Sequence, residues 1–243
     1  MSMAPALPPG PVPWGVVATV AWLMLSFAAG ALGASLLFSA WQGTSSPRGT
    51  PGFDGVALTI GAMAAFPVQV AVLAYAARVR GWRIADYLAL NMPRRGEVVM
   101  SSIVVVGLIL AFNALWLLIG QDIVSPFQVQ TYRSAKETGW LPLLLIAIVV
   151  IAPIAEEITF RGFAHRGLAL PGWEIYAIVV IALAWALMHI QYDWLGMAQI
   201  FTIGLVLGWF RWASGSTTLA ILMHGLVNLE AMIETAIKVE FLS

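Results

Sequence analysis

The sequence predicts an all-α fold: a polytopic bundle of seven or eight transmembrane helices with an active site inside it. Three observations carry this. The 243 residues are 60% hydrophobic and only 10% charged, whereas a soluble domain has about 25% charged and about 45–50% apolar residues. Apolar stretches of roughly 20 residues, enough to cross about 30 Å of hydrocarbon at about 1.5 Å per residue, recur along the chain. Several begin or end on Trp or Tyr, whose amphipathic rings settle at headgroup level. The absence of cysteine removes disulfide scaffolds, thiolate zinc sites and Cys nucleophiles. The 12 Lys+Arg balance 12 Asp+Glu and the basic residues form no phosphate-binding stripe, so no nucleic-acid partner is expected.

Taken in order, the N-terminal MSMAPALPPGPVPW lacks a basic n-region and a small-residue cleavage site. It reads as an extended lead-in to a first span that is retained. The spans run Trp14–Ala40, Val56–Ala77, Val98–Ile119, Trp140–Ile158 with a polar continuation to Arg166, Trp173–Ile190, Trp194–Phe210 and Thr217–Ile237. Gln42–Asp54, rich in Gly, Ser and Pro, is a loop. In Arg78–Gly96, Trp82, Ile84, Tyr87, Leu88 and Leu90 fall between arginines, which predicts a short amphipathic helix lying in the interface. Gly204 and Gly208, four apart, allow close helix approach. One membrane domain over residues 1–243 accounts for all of this.

With a cytoplasmic N-terminus, Arg78, Arg80, Arg83, Arg94, Arg95, Arg161, Arg166 and Arg211 fall inside, against Arg48, Arg133, Lys136 and Lys238 outside. The positive-inside rule therefore predicts that orientation. Ten Arg against two Lys are the mark of GC-rich coding, which points to a bacterial inner membrane.

An ionisable side chain within a span costs about 2.5–3.5 kcal/mol on insertion scales, so each is a functional candidate. They cluster in three places: Glu156-Glu157-Ile158-Thr159-Phe160-Arg161, Trp185-Ala186-Leu187-Met188-His189, and His224-Gly225-Leu226-Val227-Asn228. Glu157 and Arg161 share a helix face in the favourable acid-first order and form a supporting ion pair. Glu156 points about 100° away and keeps its carboxylate available. His224 and Asn228 also share a face, and His189 arrives from another helix.

Two chemistries fit these residues. Glu156 can take a proton from water with help from His189, while His224 and Asn228 donate to the oxyanion of a peptide carbonyl. Alternatively Glu156, His189 and His224 hold a metal, zinc by ligand type, with an open fourth position for the attacking water. The spacing is not that of an HExxH zincin, where both His lie on one helix.

In order, Glu156-Glu157-x-x-x-Arg161, Trp185-x-x-x-His189 and His224-x-x-x-Asn228 resemble the three motifs of the CPBP intramembrane proteases, the family of type 2 CAAX prenyl proteases and Abi-like bacteriocin-processing enzymes. The resemblance covers 141–229, the catalytic core of that family. It implies a membrane peptidase in which Glu156 activates water, His189 assists it, and His224 with Asn228 serve as oxyanion stabilisers or metal-side ligands. Trp185 stands where the family usually has Phe and is read as pocket wall. The partners so implied are membrane lipid and a hydrophobic, membrane-anchored or lipidated (CAAX-like) peptide or protein. The alternatives are a catalytically silent scaffold on the same fold and a proton-coupled transporter using the same ionisable groups. His165 is read as interfacial. Glu230 and Glu234, on the last span, are left without a role.

Overall fold

The computed structural model describes residues 12–42 and 54–242. The N-terminal lead-in up to residue 11, and the loop after the first span from 43 to 53, lie outside the described residues. Among the described residues there are helices and no strands: α1 Val16–Gln42, α2 Gly55–Val79, α3 Ile84–Tyr87, α4 Arg95–Leu118, α5 Pro126–Glu137, α6 Leu141–Leu168, α7 Glu174–Leu187, α8 Trp194–Ser214 and α9 Thr217–Phe241.

Local chemistry sets the ends of these helices. The Asp54 carboxylate accepts from the Val56 and Ala57 amides at 2.8 and 3.4 Å and opens α2. Ser125 and Gln128 cap α5 reciprocally, at 3.3 and 2.9 Å. Asp193 takes the Gly196 amide at 2.7 Å at the start of α8. That helix ends on Gly215, whose φ of 68° lies in the left-handed region that favours glycine. Ser216 then accepts from the Leu219 amide at 3.2 Å to start α9.

Six helices, α1, α2, α4, α6, α8 and α9, are long and apolar enough to cross a membrane. The fifth expected span is shorter than Trp173–Ile190: α7 has 14 residues, fewer than the roughly 20 that a crossing needs. It stops because the chain must turn at Met188–Tyr192 to bring Asp193 into its capping position. Gly204 and Gly208 do allow close approach of α8 to α7, since a Cβ at Gly208 would lie 2.8 Å from Ile178 Cγ2 and one at Gly204 3.1 Å from Ala182 Cβ.

The Arg78–Gly96 segment does not lie flat. Only one turn of it is helical, and Tyr87 and Leu88 are buried against Leu73, Ile158 and Phe163. Irregular backbone can enter the bundle because its carbonyls find donors. Arg166 Nε donates to the Tyr87 carbonyl at 3.0 Å, the Thr217 hydroxyl to Leu88 at 2.6 Å, the Thr217 amide to Ala89 at 2.9 Å, and the Ser216 hydroxyl to Asn91 at 2.6 Å.

Helix α6 carries the first motif and is not uniformly α-helical. Two π-helical stretches, Ala147–Ile151 and Ile158–Ala164, flank an α-helical Ala152–Glu157. Pro153 has no N–H and its ring crowds the carbonyl of Val149; the wider first stretch surrounds that carbonyl. Such wide turns are found disproportionately at functional sites.

Candidate active site

Glu157, Arg161 and His224 form one buried group, 0%, 1% and 3% exposed. Glu157 Oε1 accepts from Arg161 Nη1 at 3.0 Å and from His224 Nδ1 at 2.9 Å. A carboxylate has no proton to give, so His224 carries its proton on Nδ1. Arg161 Nη2 donates to the Gly204 carbonyl at 2.9 Å, and Arg211 Nε donates to the Arg161 carbonyl at 3.0 Å. The expected Glu157–Arg161 pair is therefore present, and it joins α6 to α8 and α9.

Glu156 points elsewhere, as its helical offset requires. Its Oε2 accepts from Trp185 Nε1 at 2.6 Å. His189, in the turn after α7, has Nδ1 2.9 Å from the Trp185 carbonyl, which fixes the proton on Nδ1 and leaves a lone pair on Nε2. Trp185 is more than a wall. Its ring lies edge to face between the two imidazoles, 5.1 Å from His189 and 5.2 Å from His224, and the Arg161 guanidinium stacks 4.8 Å from its centre. Sequence reasoning missed this, although the signal was there: a Trp at a position usually held by Phe adds one N–H donor.

Glu156, Trp185 and His189 line a cavity of ≈ 160 Å³, with Phe27, Phe160 and Gln69 on its other walls. At about 30 Å³ per molecule it has room for several waters. His224 and Asn228 do not line it. The two share a face of α9 as their spacing says, but their bonds diverge: Asn228 Nδ2 donates to the Ile148 carbonyl, in the first π-helical stretch, at 2.8 Å. Asn228 lines a second cavity of ≈ 70 Å³ beside Thr131 and Tyr192.

Among the described residues no three His, Cys, Asp or Glu side chains form a group able to hold a metal. Trp185 separates the two imidazoles, and His224 turns its Nδ1 to Glu157. The set Glu156, His189 and His224 thus does not fit a zinc ion in this arrangement.

His165, near the end of α6, is buried within the protein, and its Nε2 has no partner among the described residues. Glu234 Oε1 accepts from Asn113 Nδ2 at 2.5 Å, which gives α9 a polar tie to α4.

Tyr192 lies between the cavities, its ring 6.4 Å from His189. Burial, and after it the Glu156 charge, push its phenol up to about 12. An unfolded tyrosine titrates near 10, so the neutral phenol supports the fold fully below about pH 10. That support is lost as pH rises through about 12. Tyr192→Phe is expected to flatten the alkaline fall in thermal midpoint; a fall of unchanged steepness would assign it to another group.

The geometry can be set beside known proteins. Residues 138–229 match the family described as type II CAAX prenyl endopeptidase Rce1-like. No curated protein and no solved structure matches the chain. The matched segment runs from the end of α5 into α9 and contains all three motifs, Glu156 to Arg161, Trp185 to His189 and His224 to Asn228. This chain, an integral membrane protein, is thus similar over residues 138–229 to the Rce1-like family of type II CAAX prenyl endopeptidases.

Proposed function

We infer that the protein is an intramembrane endopeptidase that hydrolyses a peptide bond in a hydrophobic, membrane-anchored or lipidated tail, with Glu156 as the base. The observation that carries this reading is a carboxylate held at 2.6 Å by an indole N–H on the wall of a cavity with room for several waters, with an imidazole beside it. Arg161 bonds to the acid next door, Glu157, and Glu156 has no ion-pair partner among the described residues.

Trp185 occupies Oε2 of Glu156, so Oε1 faces the water. As the water oxygen bonds to the scissile carbonyl carbon, Oε1 takes its proton, and the Nε2 lone pair of His189 accepts the other hydrogen of that water and orients it. The carbonyl electrons move to oxygen. When the tetrahedral species collapses, the C–N bond breaks, its electron pair stays on nitrogen, and Glu156 returns the proton to the leaving amine. The glutamate ends ionised as it began, and no step requires a metal. Rates after exhaustive chelation are expected to match those before it; abolition by chelator with recovery on adding zinc would overturn the carboxylate mechanism.

The arginines between α2 and α4 favour a cytoplasmic N-terminus, and the ten Arg to two Lys favour a bacterial inner membrane. The test of function is cleavage by the detergent-purified protein of prenylated and unprenylated hydrophobic tail peptides, read by mass spectrometry beside Glu156→Gln. Cutting by wild type alone is expected. Equal cutting by both would remove Glu156 from the reaction, and no cutting of either class would sink the endopeptidase reading.

A further inference from the structure

Helices α6 and α8 finish at the same end of the bundle, and the charges there do not balance. His165 and Arg211 lie three residues before those ends, Leu168 and Ser214, and each is 7% exposed. A buried guanidinium is expected to have a carboxylate beside it, because an unpaired charge in a low dielectric is strongly unfavourable. Arg161 follows that rule through Glu157. Arg211 does not. Its Nε donates to the Arg161 carbonyl at 3.0 Å, a neutral acceptor, and no acid among the described residues forms an ion pair with it. Its Nη nitrogens bond to nothing among the described residues, and they are not sealed off from the outside.

The neighbours add cations rather than neutralise them. The charges of Arg211, Arg166 and Arg161 all act on His165, and Glu174 is the one acid that does; Glu174 makes no ion pair. Arg166 gives Nε and Nη2 to the carbonyls of Tyr87 and Asp86 and lies over the Trp82 ring at 5.1 Å, while the Asp86 carboxylate faces Arg83 at 3.7 Å. The imidazole of His165 is itself incomplete, with Nε2 buried and unpartnered. The surface around this group is aromatic. Trp209 and Trp212, on either side of Arg211 in α8, are half-exposed with rings 5.0 Å apart. Trp173 and Tyr176, at the start of the α7 helix that packs on α8, are exposed and pair at 5.1 Å. Exposed Trp and Tyr on membrane helices settle at headgroup level, so these cations lie at the depth of lipid phosphates.

We propose that Arg211 and His165 form a binding site for the phosphate of an anionic phospholipid headgroup, lodged where α6 and α8 end. A guanidinium offers paired N–H groups that match phosphate oxygens, and basic pockets between transmembrane helices take such headgroups. A zwitterionic headgroup brings an ammonium that Arg211 and Arg166 repel, so a lipid of net negative charge is selected. The Nε bond to the Arg161 carbonyl ties the bound headgroup to the helix that carries Glu156. None of these residues lines the Glu156 cavity, and the proposal does not depend on peptide hydrolysis.

The test measures the thermal midpoint of the full chain in nanodiscs of phosphatidylcholine, with and without phosphatidylglycerol of the same acyl chains. For wild type, phosphatidylglycerol is expected to raise the midpoint by about 5 °C, the size for a ligand held well above its dissociation constant. Arg211→Gln is expected to lose most of that rise. Its midpoint is lower in both lipids because the bond to the Arg161 carbonyl is gone, so the difference between lipids is the readout. Arg83→Gln, at an arginine side chain 82% exposed, is expected to keep the rise. No rise in wild type overturns the proposal. So does a rise that survives in Arg211→Gln or falls equally in Arg83→Gln, which would make it diffuse attraction to a basic surface. An equal rise from inorganic phosphate in phosphatidylcholine alone would assign the site to a free anion and overturn the lipid. If Arg211→Gln does not fold, His165→Leu decides: loss of half the rise or more upholds the site, and a full rise overturns it.

Discussion

Glu156→Gln is expected to lower the cleavage rate by about 10²–10⁴-fold, the range that a positioned general base contributes, and to leave the fold intact. The amide has nearly the volume of the carboxylate, and its carbonyl oxygen can still accept the Trp185 N–H that Oε2 now takes at 2.6 Å. What disappears is the lone pair basic enough to remove a proton from water. The thermal midpoint in detergent therefore stays within a few degrees of wild type while kcat collapses, and KM changes little because the base touches water rather than the peptide chain. Parallel loss of midpoint and rate would show instead that Glu156 holds the helices together.

Arg161→Met is expected to have the largest effect on stability. It leaves the Glu157 carboxylate fully buried with His224 alone to support it. It also removes the bond to the Gly204 carbonyl and the stacking on Trp185. Removing one partner of a buried ion pair costs about 3–5 kcal/mol, and at about 2–4 °C per kcal/mol for a chain of this size the thermal midpoint falls by about 10 °C. The double change Arg161→Met with Glu157→Gln discriminates the cause. If the damage is an uncompensated charge, neutralising Glu157 restores more than half of the loss, because the amide carbonyl still accepts from His224. If the double variant is as unstable as Arg161→Met alone, the lost contacts to Gly204 and Trp185 account for the effect.

The ionisable residues of the site were legible in the sequence because charge inside an apolar span stands out, and helical spacing then separated Glu156 from Glu157 correctly. Spacing says which face a side chain leaves from and nothing of what it meets. Hence His224 and Asn228 share a face yet reach different partners, Glu157 and the Ile148 carbonyl. The π-helical stretches of α6 have no periodic signature, and Pro153 alone hinted at an irregular turn. Gln69, on the cavity wall, escaped notice for a different reason: a neutral amide far along the chain has no marker until tertiary packing brings it to the Glu156 cavity. The short α7 was visible in principle, since Asp193 is a strong N-cap whose position limits how far the preceding helix can run.

That truncated helix has a consequence for the surrounding lipid. Fourteen residues cover about 21 Å at about 1.5 Å each, some 9 Å less than the hydrocarbon thickness of an average bilayer. A bilayer that follows α7 rather than its longer neighbours has to thin beside it, a mismatch penalty of fractions of a kcal/mol per ångström of difference between helix and bilayer. His189 is placed just beyond the end of this helix, so thinning of the leaflet there falls beside the candidate site. Acyl-chain length then becomes a control variable for turnover: the protein reconstituted in thin, short-chain bilayers should work faster than in thick ones at the same substrate density.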